Sequence, residues 1–592
     1  ALESRHDVGR SVECTYTPAT KVVHKGKGMI SVTSPKVRGA SKDTGPQNGK
    51  GRNGSTTAEV DAQQKQRGGY YTPSAIATVL AEWAIRDPAS RVLEPSAGDG
   101  QLVAAAVKRL NAAGEVLAVE LDLQEARKVA LRGGPLTKVV TGDFFSWFQQ
   151  RSSSGTFDAV IGNPPFIRYQ HFQEEHRQAA FDLMRAEGMR PSRLTNAWLP
   201  FVVAATRALR SGGRLALVLP AELLQVTYAS ELREYLARKY SHLTVVTFRD
   251  LVFDGILQET VLLLGIRQDC AARISFVELG SLAELDAQHL AETDEVQLDL
   301  DHAREKWTQF YLSAAELRLI RDLEEADVLG KLGDYAEVDV GIVTGRNEFF
   351  VLTKDEAVQL GVMDWCLPLV GRSFQIPGLV LRRHDWEKLA ASNGKCYLLQ
   401  LGDMERGDLS EAARTYVEAG EEKGFHEGYK CRIRLPRWWS VPADWEPDAF
   451  LLRQIHEGPR IIVNRANATS TDTIHRVRVK PGVDAEWLAA SSMNSLTWAF
   501  SEIRGRSYGG GVLELEPTEA EGLVCPKPTA LNASLDSLDA WARRNGVESV
   551  LDEVDRQVLL PIGLSARDVS ALRDIWRKLS QRRMGRKRRY TA

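Results

Sequence analysis

No stretch of this chain holds about 18 consecutive apolar residues, so no membrane-spanning helix is expected. The opening residues, Ala1-Leu2-Glu3-Ser4-Arg5, lack the apolar centre of a secretory signal. Cysteine is scarce. Cys14, Cys270, Cys366, Cys396, Cys431 and Cys525 are widely spaced with no CxxC pair, which argues against structural zinc and for reduced thiols in a cytoplasmic setting. No metal site is expected. Net charge is nearly absent as well: 76 basic and 78 acidic residues leave −2. That balance excludes a uniformly basic coat but leaves room for one basic cleft. There is no internal repeat. What is present is length: 592 residues exceed one ordinary core and imply two or three domains.

Residues 1–65 are rich in Gly, Ser, Thr, Lys and Arg without hydrophobic periodicity, and read as a basic, disordered arm. The arm is either a solvated tail or a phosphate contact. Residues 66–270 alternate short apolar runs, at 91–94, 116–119, 157–161, 215–219 and 261–265, with helical patterns such as 102–110. Such alternation predicts a doubly wound, Rossmann-like α/β sheet. Residues 271–330 read as a helical connector, with one helix over 307–323. Residues 331–530 read as a second domain of mixed α+β structure. Residues 531–592 read as terminal helices ending in a basic run at 582–589, equally a phosphate grip or a solvated tail.

The turn Glu94-Pro95-Ser96-Ala97-Gly98-Asp99-Gly100 follows the first strand and opens a helix. Glycines there let backbone N–H groups approach a ligand at the edge where open α/β sheets bind. A glycine turn alone suits NAD or is merely tight. This one lacks GxGxxG, and acidic residues recur at the ends of the next two strands, Glu120 and Asp143. A carboxylate at Glu120 suits ribose hydroxyls. Asp143 suits an adenine amino group, with Phe144 packed on the ring. This spacing favours S-adenosylmethionine as cofactor. Upstream, Thr72 as N-cap and Pro73 at the first helical position suit an ordinary helix start, or place Thr72 against the cofactor's methionine carboxylate.

Gly162-Asn163-Pro164-Pro165-Phe166 directly follows the 157–161 strand. Two prolines fix φ and remove two backbone donors, so carbonyls can line a pocket without competing N–H groups. If the Asn163 side-chain oxygen and the Pro164 carbonyl each accept a hydrogen from an adenine N6, its lone pair turns towards a methyl donor. Catalysis then rests on positioning and electrostatics, with no cysteine nucleophile. A base in a duplex must first be turned out, at a cost of a few kcal/mol. Stacking on Phe166 offsets part of this, about 1–3 kcal/mol. The plainer reading, a turn that merely ends a strand, fits the order of the motifs less well.

Taken in order, Thr72-Pro73, Glu94–Gly100, Glu120, Asp143-Phe144 and Asn163-Pro164-Pro165-Phe166 resemble the gamma-class, TaqI-type DNA adenine-N6 methyltransferases of restriction–modification and related defence systems. The resemblance implies Glu120 as ribose ligand, Asp143 as ligand of the cofactor adenine, and Asn163 and Pro164 as acceptors for the target amino group. It also implies Phe166 and Phe253, in Val252-Phe253-Asp254-Gly255, as the two faces of a base clamp. Asn196-Ala197-Trp198 matches a further family position. The resemblance is strong over 66–270 and weaker over 331–530, where Pro368–Arg372 and Arg506–Gly511 are similar to landmarks of related recognition domains. It further implies double-stranded DNA as substrate, a cognate restriction enzyme or defence-complex subunit as partner, a host-protecting role and a cytoplasmic, nucleoid-associated location.

The second domain is crowded with arginine, suited to guanine and phosphate contacts. The candidates are Arg346, Asn347, Arg434, Arg465, Arg506 and Tyr508, beside Arg437, Trp438, Trp439, Arg476, Arg478, Lys480 and Arg504. Each arginine singly reads as well as a surface charge. Rival readings are an RNA or protein-glutamine N-methyltransferase, a fused restriction and modification enzyme, and a non-catalytic specificity subunit. The first usually has a small catalytic domain and a different appendage, the second needs a PD…ExK motif not found here, and the third has no need of an intact Asn163 loop.

Overall fold

The computed structural model describes residues 71–151, 154–167, 172–250, 259–292, 300–508, 511–529 and 531–585. The arm at 1–65, Phe253 and residues 586–589 of the basic run lie outside the described residues.

Eight strands form one sheet: β1 (Arg91–Glu94), β2 (Glu115–Glu120), β3 (Thr137–Thr141), β4 (Phe157–Gly162), β5 (Leu209–Pro220), β6 (Tyr240–Phe248), β7 (Thr260–Arg267) and β8 (Arg273–Leu279). Their order is β3-β2-β1-β4-β5-β7-β6-β8. Neighbours are parallel except β7, which runs antiparallel to both β5 and β6. β8 falls in the stretch whose composition reads as helical connector; its alternating burial marks an edge strand with one wet face.

Both faces are covered. Along β1, Val92 packs on one side and Leu93 on the other, the period of two that a strand imposes. The first face holds Ile76 and Leu80 of α1 (Ser74–Ala84), Val103 of α2 (Gln101–Val107) and Val129 of α3 (Leu123–Gly133). The second holds Phe145 of α4 (Phe144–Arg151), Met184 of α5 (Glu174–Ala186), Val202 of α6 (Trp198–Ala208) and Leu236 of α7 (Ser230–Lys239). This is the doubly wound sheet expected from the sequence. Since β1–β4 are parallel, the motifs that follow them emerge at one edge, around the β1/β4 switch in strand order.

The single helix expected over 307–323 is broken. A 3-10 turn, Trp307–Tyr311, precedes the helix Ala314–Glu324. Ser313 starts that helix: its Oγ accepts from Glu316 N–H, and Glu316 accepts from Ser313 N–H, a reciprocal cap that ends whatever lies before it.

The C-terminal half is mixed α+β. One sheet runs Ala336–Asp339, Ile474–Val479, Ala449–Leu452, Ile461–Arg465 and Val380–Arg382; a second runs Val351–Leu352, Tyr397–Leu399, Cys366–Val370 and Thr469–Ser470. A single apolar core extends from Leu312 and Ile320 to Leu572, Ile575 and Trp576. Trp576, on the C-terminal helix Ala566–Gly585, meets Trp498 edge to face with ring centres 4.8 Å apart. The terminal helices are therefore built into the second domain.

Candidate active site

The turn after β1 is bound to both neighbouring strand ends. Ala97 N–H donates to Val119 O at 2.9 Å, and Gly98 N–H donates to Glu120 Oε2 at 2.8 Å. The other Glu120 oxygen accepts from Asp122 N–H at 2.9 Å. Burial raises the Glu120 pKa against the lowering effect of these hydrogen bonds. Gly98 (φ +53) and Gly142 (φ +146) sit at the ends of β1 and β3, and a Cβ built on either would meet no atom within 4 Å. Backbone at both strand ends thus borders open space, with carboxylates beside it. That set of groups fits a ligand bearing ribose hydroxyls, an exocyclic amine and a positive charge, and so fits S-adenosylmethionine.

Other residues chosen from the sequence have local duties. Asp99 pairs with Arg132 at 2.7 Å and its other oxygen accepts from Gln101 N–H. Asp143 caps α4, its Oδ1 accepting from Ser146 N–H and Oγ, each at 2.8 Å. His176, which sequence reading missed, lies 3.7 Å from its other oxygen. Phe144 is buried, stacked on Phe201 at 5.3 Å in the core beneath the sheet edge. Glu94 is fully buried behind the turn. Its Oε1 accepts from Ser96 N–H, and its Oε2 has no hydrogen-bond partner among the described residues. Burial pushes its pKa up to about 8, with the Glu120 charge adding to the rise.

The Asn163 loop meets the cofactor turn directly. Gly162 ends β4 where a Cβ would lie 3.2 Å from Leu217 Cδ2 and 3.3 Å from both Glu94 Oε1 and Pro95 Cδ, so larger residues crowd the junction. Two hydroxyls hold Asn163. Its Nδ2 donates to Thr72 Oγ1 at 3.2 Å, and its main-chain oxygen accepts from Ser96 Oγ at 3.3 Å. Thr72 is buried and is not the N-cap: Pro73 occupies that position, and its carbonyl accepts from Ala77 N–H. Its hydroxyl therefore serves Asn163. Donation through Nδ2 determines which end of the amide is presented as acceptor. Pro164 is buried, Pro165 and Phe166 are half-buried, and Ile167 O accepts from Ala197 N–H at 2.9 Å. The Asn196-Ala197-Trp198 segment thus braces the loop from below. β6 ends at Phe248 and β7 begins at Thr260, both at the sheet edge that carries Asn163.

The arginines counted from the sequence divide sharply. Arg434 donates to Thr344 O and lies 5.4 Å over Phe350. Arg465 pairs with Glu486 at 2.7 Å and Asp536 at 2.9 Å, and Arg506 with Glu519 at 2.8 Å. Arg437 pairs with Glu405 at 3.0 Å; Arg476 and Arg478 each sit 4.3 Å over Trp445. Trp438 and Trp439 are core residues. At the start of the basic run, half-buried Arg582 pairs with Glu278 and Glu259, and buried Arg583 pairs with Glu502, so both are engaged within the protein. Arg346 and Asn347 are exposed. Tyr508 closes the strand Arg506–Tyr508.

Residues 127–253 match the family model of the Eco57I restriction-modification methylase, and residues 304–559 match that of the C-terminal domain of Type II methyltransferase M.Eco57I. Together they span more than half of the chain. The Type II methyltransferase M.AccI of Acinetobacter calcoaceticus is 22% identical over 474 residues, covering 76% of this chain and 83% of its own length. M.XamI of Xanthomonas campestris pv. amaranthicola is 23% identical over 483 residues, covering 79% and 86%. Among solved structures, the type IIG restriction endonuclease BpuSI aligns at 13% identity with a TM-score of 0.38, over 89% of this chain and 67% of its own. The fold assignment rests on strand order and not on that score. The catalytic and C-terminal halves thus match parts of one kind of enzyme, and the chain belongs to the restriction–modification DNA methyltransferases, with S-adenosylmethionine as methyl donor.

Proposed function

We propose that this chain methylates N6 of an adenine turned out of double-stranded DNA, at a specific site, as the protective half of a restriction–modification or defence system. The observation that carries the reading is Asn163 at the end of β4, its amide tied to Thr72 and its main chain to Ser96 of the cofactor turn.

S-adenosylmethionine supplies, when bound, an electrophilic methyl group on a sulfonium. Glu120 would hold its ribose and Asp143 its adenine, over the backbone of Ala97 and Gly98. Asn163 Oδ1 and Pro164 O accept the two hydrogens of the target N6, which withdraws its lone pair from the ring and directs it at the methyl. Asn163 Oδ1 and Pro164 O would hold N6 while, on accepting the methyl group the cofactor would supply, it gives up one proton to solvent. Pro165 keeps the loop rigid and donor-free. Phe166 and Phe253 stack on the two faces of the base. Arg346 and Asn347 contact DNA from the C-terminal domain, whereas Arg434, Arg465 and Arg506 already have internal partners.

The test is transfer of labelled methyl to unmethylated phage DNA, read by nucleoside mass spectrometry. N6-methyladenine is expected with the wild type and not with Asn163→Ala, which should still bind S-adenosylmethionine. Label appearing only in RNA or in protein glutamine would replace the substrate. Methylcytosine would replace the base.

A further inference from the structure

Three loops converge at one end of the C-terminal domain. Ile342 bridges to Thr471, Thr471 N–H donates to Val370 O at 3.2 Å, and Thr473 Oγ1 donates to Gly371 O. The short helix Tyr429–Arg432 packs onto this junction. A Cβ on Gly345 (φ +80) would lie 2.6 Å from Lys430 Cβ, and Arg434 anchors the segment to Thr344 O.

From that base a ridge projects whose side chains the fold does not use. Tyr429, Ile433 and Leu435 are 66%, 60% and 52% exposed. Covering apolar surface is favourable, so three such side chains on one short segment are a standing tendency to be covered. Exposed Arg346, Lys430 and Arg432 flank them, and none forms an ion pair among the described residues. Arg434, Arg437, Arg465 and Arg506 are engaged internally, whereas these three stand beside the exposed apolar side chains with no ion pair among the described residues. Arg346 and Lys430 are held only loosely, each 5.9 Å from an aromatic ring centre, Phe425 and Tyr429 respectively.

We propose that this ridge docks on duplex DNA, with Ile433 and Leu435 wedged into the base stack and Arg346, Lys430 and Arg432 neutralising the adjoining phosphates. The proposal rests on the DNA reading of the active site. Unpaired guanidinium and ammonium groups complement phosphate, and the apolar side chains between them match base faces and not a charged protein surface. Wedges of this kind hold unstacked steps open, a cost that the added contacts offset. A turned-out adenine leaves such a gap, which a wedge keeps from reclosing.

The test uses the full chain with two double variants. Lys430→Ala with Arg432→Ala should lower the slope of log binding constant against log salt by about 2, roughly 0.9 for each phosphate no longer neutralised, on any labelled duplex. Ile433→Ala with Leu435→Ala should leave that slope unchanged. On a duplex carrying 2-aminopurine at the mapped target adenine, it should lose the fluorescence rise and methylate roughly 10-fold more slowly. Unchanged S-adenosylmethionine binding and melting temperature would show both variants folded. An unchanged salt slope in the first variant overturns the phosphate contacts, and retained emission and rate in the second overturn the wedge. Loss of concentration-dependent self-association in the second variant, with DNA binding intact, would make a second copy the occupant and overturn the proposal. If the wild type transfers no methyl to DNA, the active-site reading fails, while the salt slopes still decide the ridge.

Discussion

Asn163 is placed by hydroxyls from two remote segments, 91 residues upstream at Thr72 and 67 upstream at Ser96. The Thr72 contact gives a sharp expectation. Thr72→Val keeps the shape and removes the acceptor, so the amide is free to rotate. Small misplacements of a reacting group slow catalysis roughly 10- to 100-fold. We expect kcat to fall by that order with S-adenosylmethionine affinity unchanged, and Thr72→Ser to restore it. Weakened cofactor affinity with kcat intact would return Thr72 to the methionine carboxylate. Glu94 gives a second. Burial raises its pKa from the ordinary 4.5 to about 8, so between those values the folded chain keeps a proton that the unfolded chain releases. Stability contributed by this group is therefore greatest below about pH 4.5, falls as pH rises to about 8, and levels above. Glu94→Gln should flatten that decline, and melting curves at pH 6 and 8.5 would show the wild type losing more than the variant. An equal loss in both proteins would mean that Glu94 is ionised when folded.

Elements of the catalytic half were legible because each obeys a local rule. β1, β2, β4 and β5 are short apolar runs bounded by polar turns, and the helices between them show one apolar face. The 307–323 stretch misled because its apolar spacing continues through Ser313, where the cap competes with helix continuation. β8 misled because acidic neighbours outweigh a strand of seven residues. In the C-terminal half the strands are two to six residues long and gain their stability from distant partners. Asp539 shows how. It is fully buried on the helix Leu535–Asn545, and its Oδ1 accepts from Leu379 N–H at 2.7 Å and Val380 N–H at 3.1 Å. Its Oδ2 pairs with Arg543 at 2.9 Å and with Arg382. Asp539→Ala would strand two buried backbone donors, while Arg382 and Arg543 keep Asp536 and Asp385, and should cost about 2–4 kcal/mol in chemical denaturation. A loss below about 1 kcal/mol would show that solvent already screens the site.

At the scale of the molecule, polar contacts from the second domain tie its core to the two that flank the first sheet. Arg582 of the C-terminal helix lies 3.6 Å over the Tyr311 ring and pairs with Glu278 and Glu259. Lys306 donates to Gly505 O at 3.0 Å, its pKa pushed down to about 8 by burial. The Gln225 amide exchanges two hydrogen bonds with the Ser507 backbone. Glu259 immediately precedes β7, so the C-terminal helix is held at the start of that strand. Arg582→Ala would remove this guanidinium from both Glu259 and Glu278, the pairs that join the two halves. We expect calorimetry to show the catalytic half melting separately at lower temperature; a single unshifted transition would mean that the other contacts suffice.

The sequence alone determined the doubly wound sheet, the strand ends that carry Glu120 and Asp143, and the Asn163 loop, because periodicity and turn chemistry are local properties. It did not determine which arginines are available. An arginine beside a glutamate from a distant segment is indistinguishable, in one dimension, from an arginine beside water. Only the tertiary structure paired Arg434, Arg465, Arg506, Arg582 and Arg583 internally and left Arg346, Lys430 and Arg432 without ion-pair partners among the described residues. It alone turned Thr72 towards Asn163. Charge pairing and side-chain aim depend on what folding brings within a few ångströms, and chain order does not encode that directly.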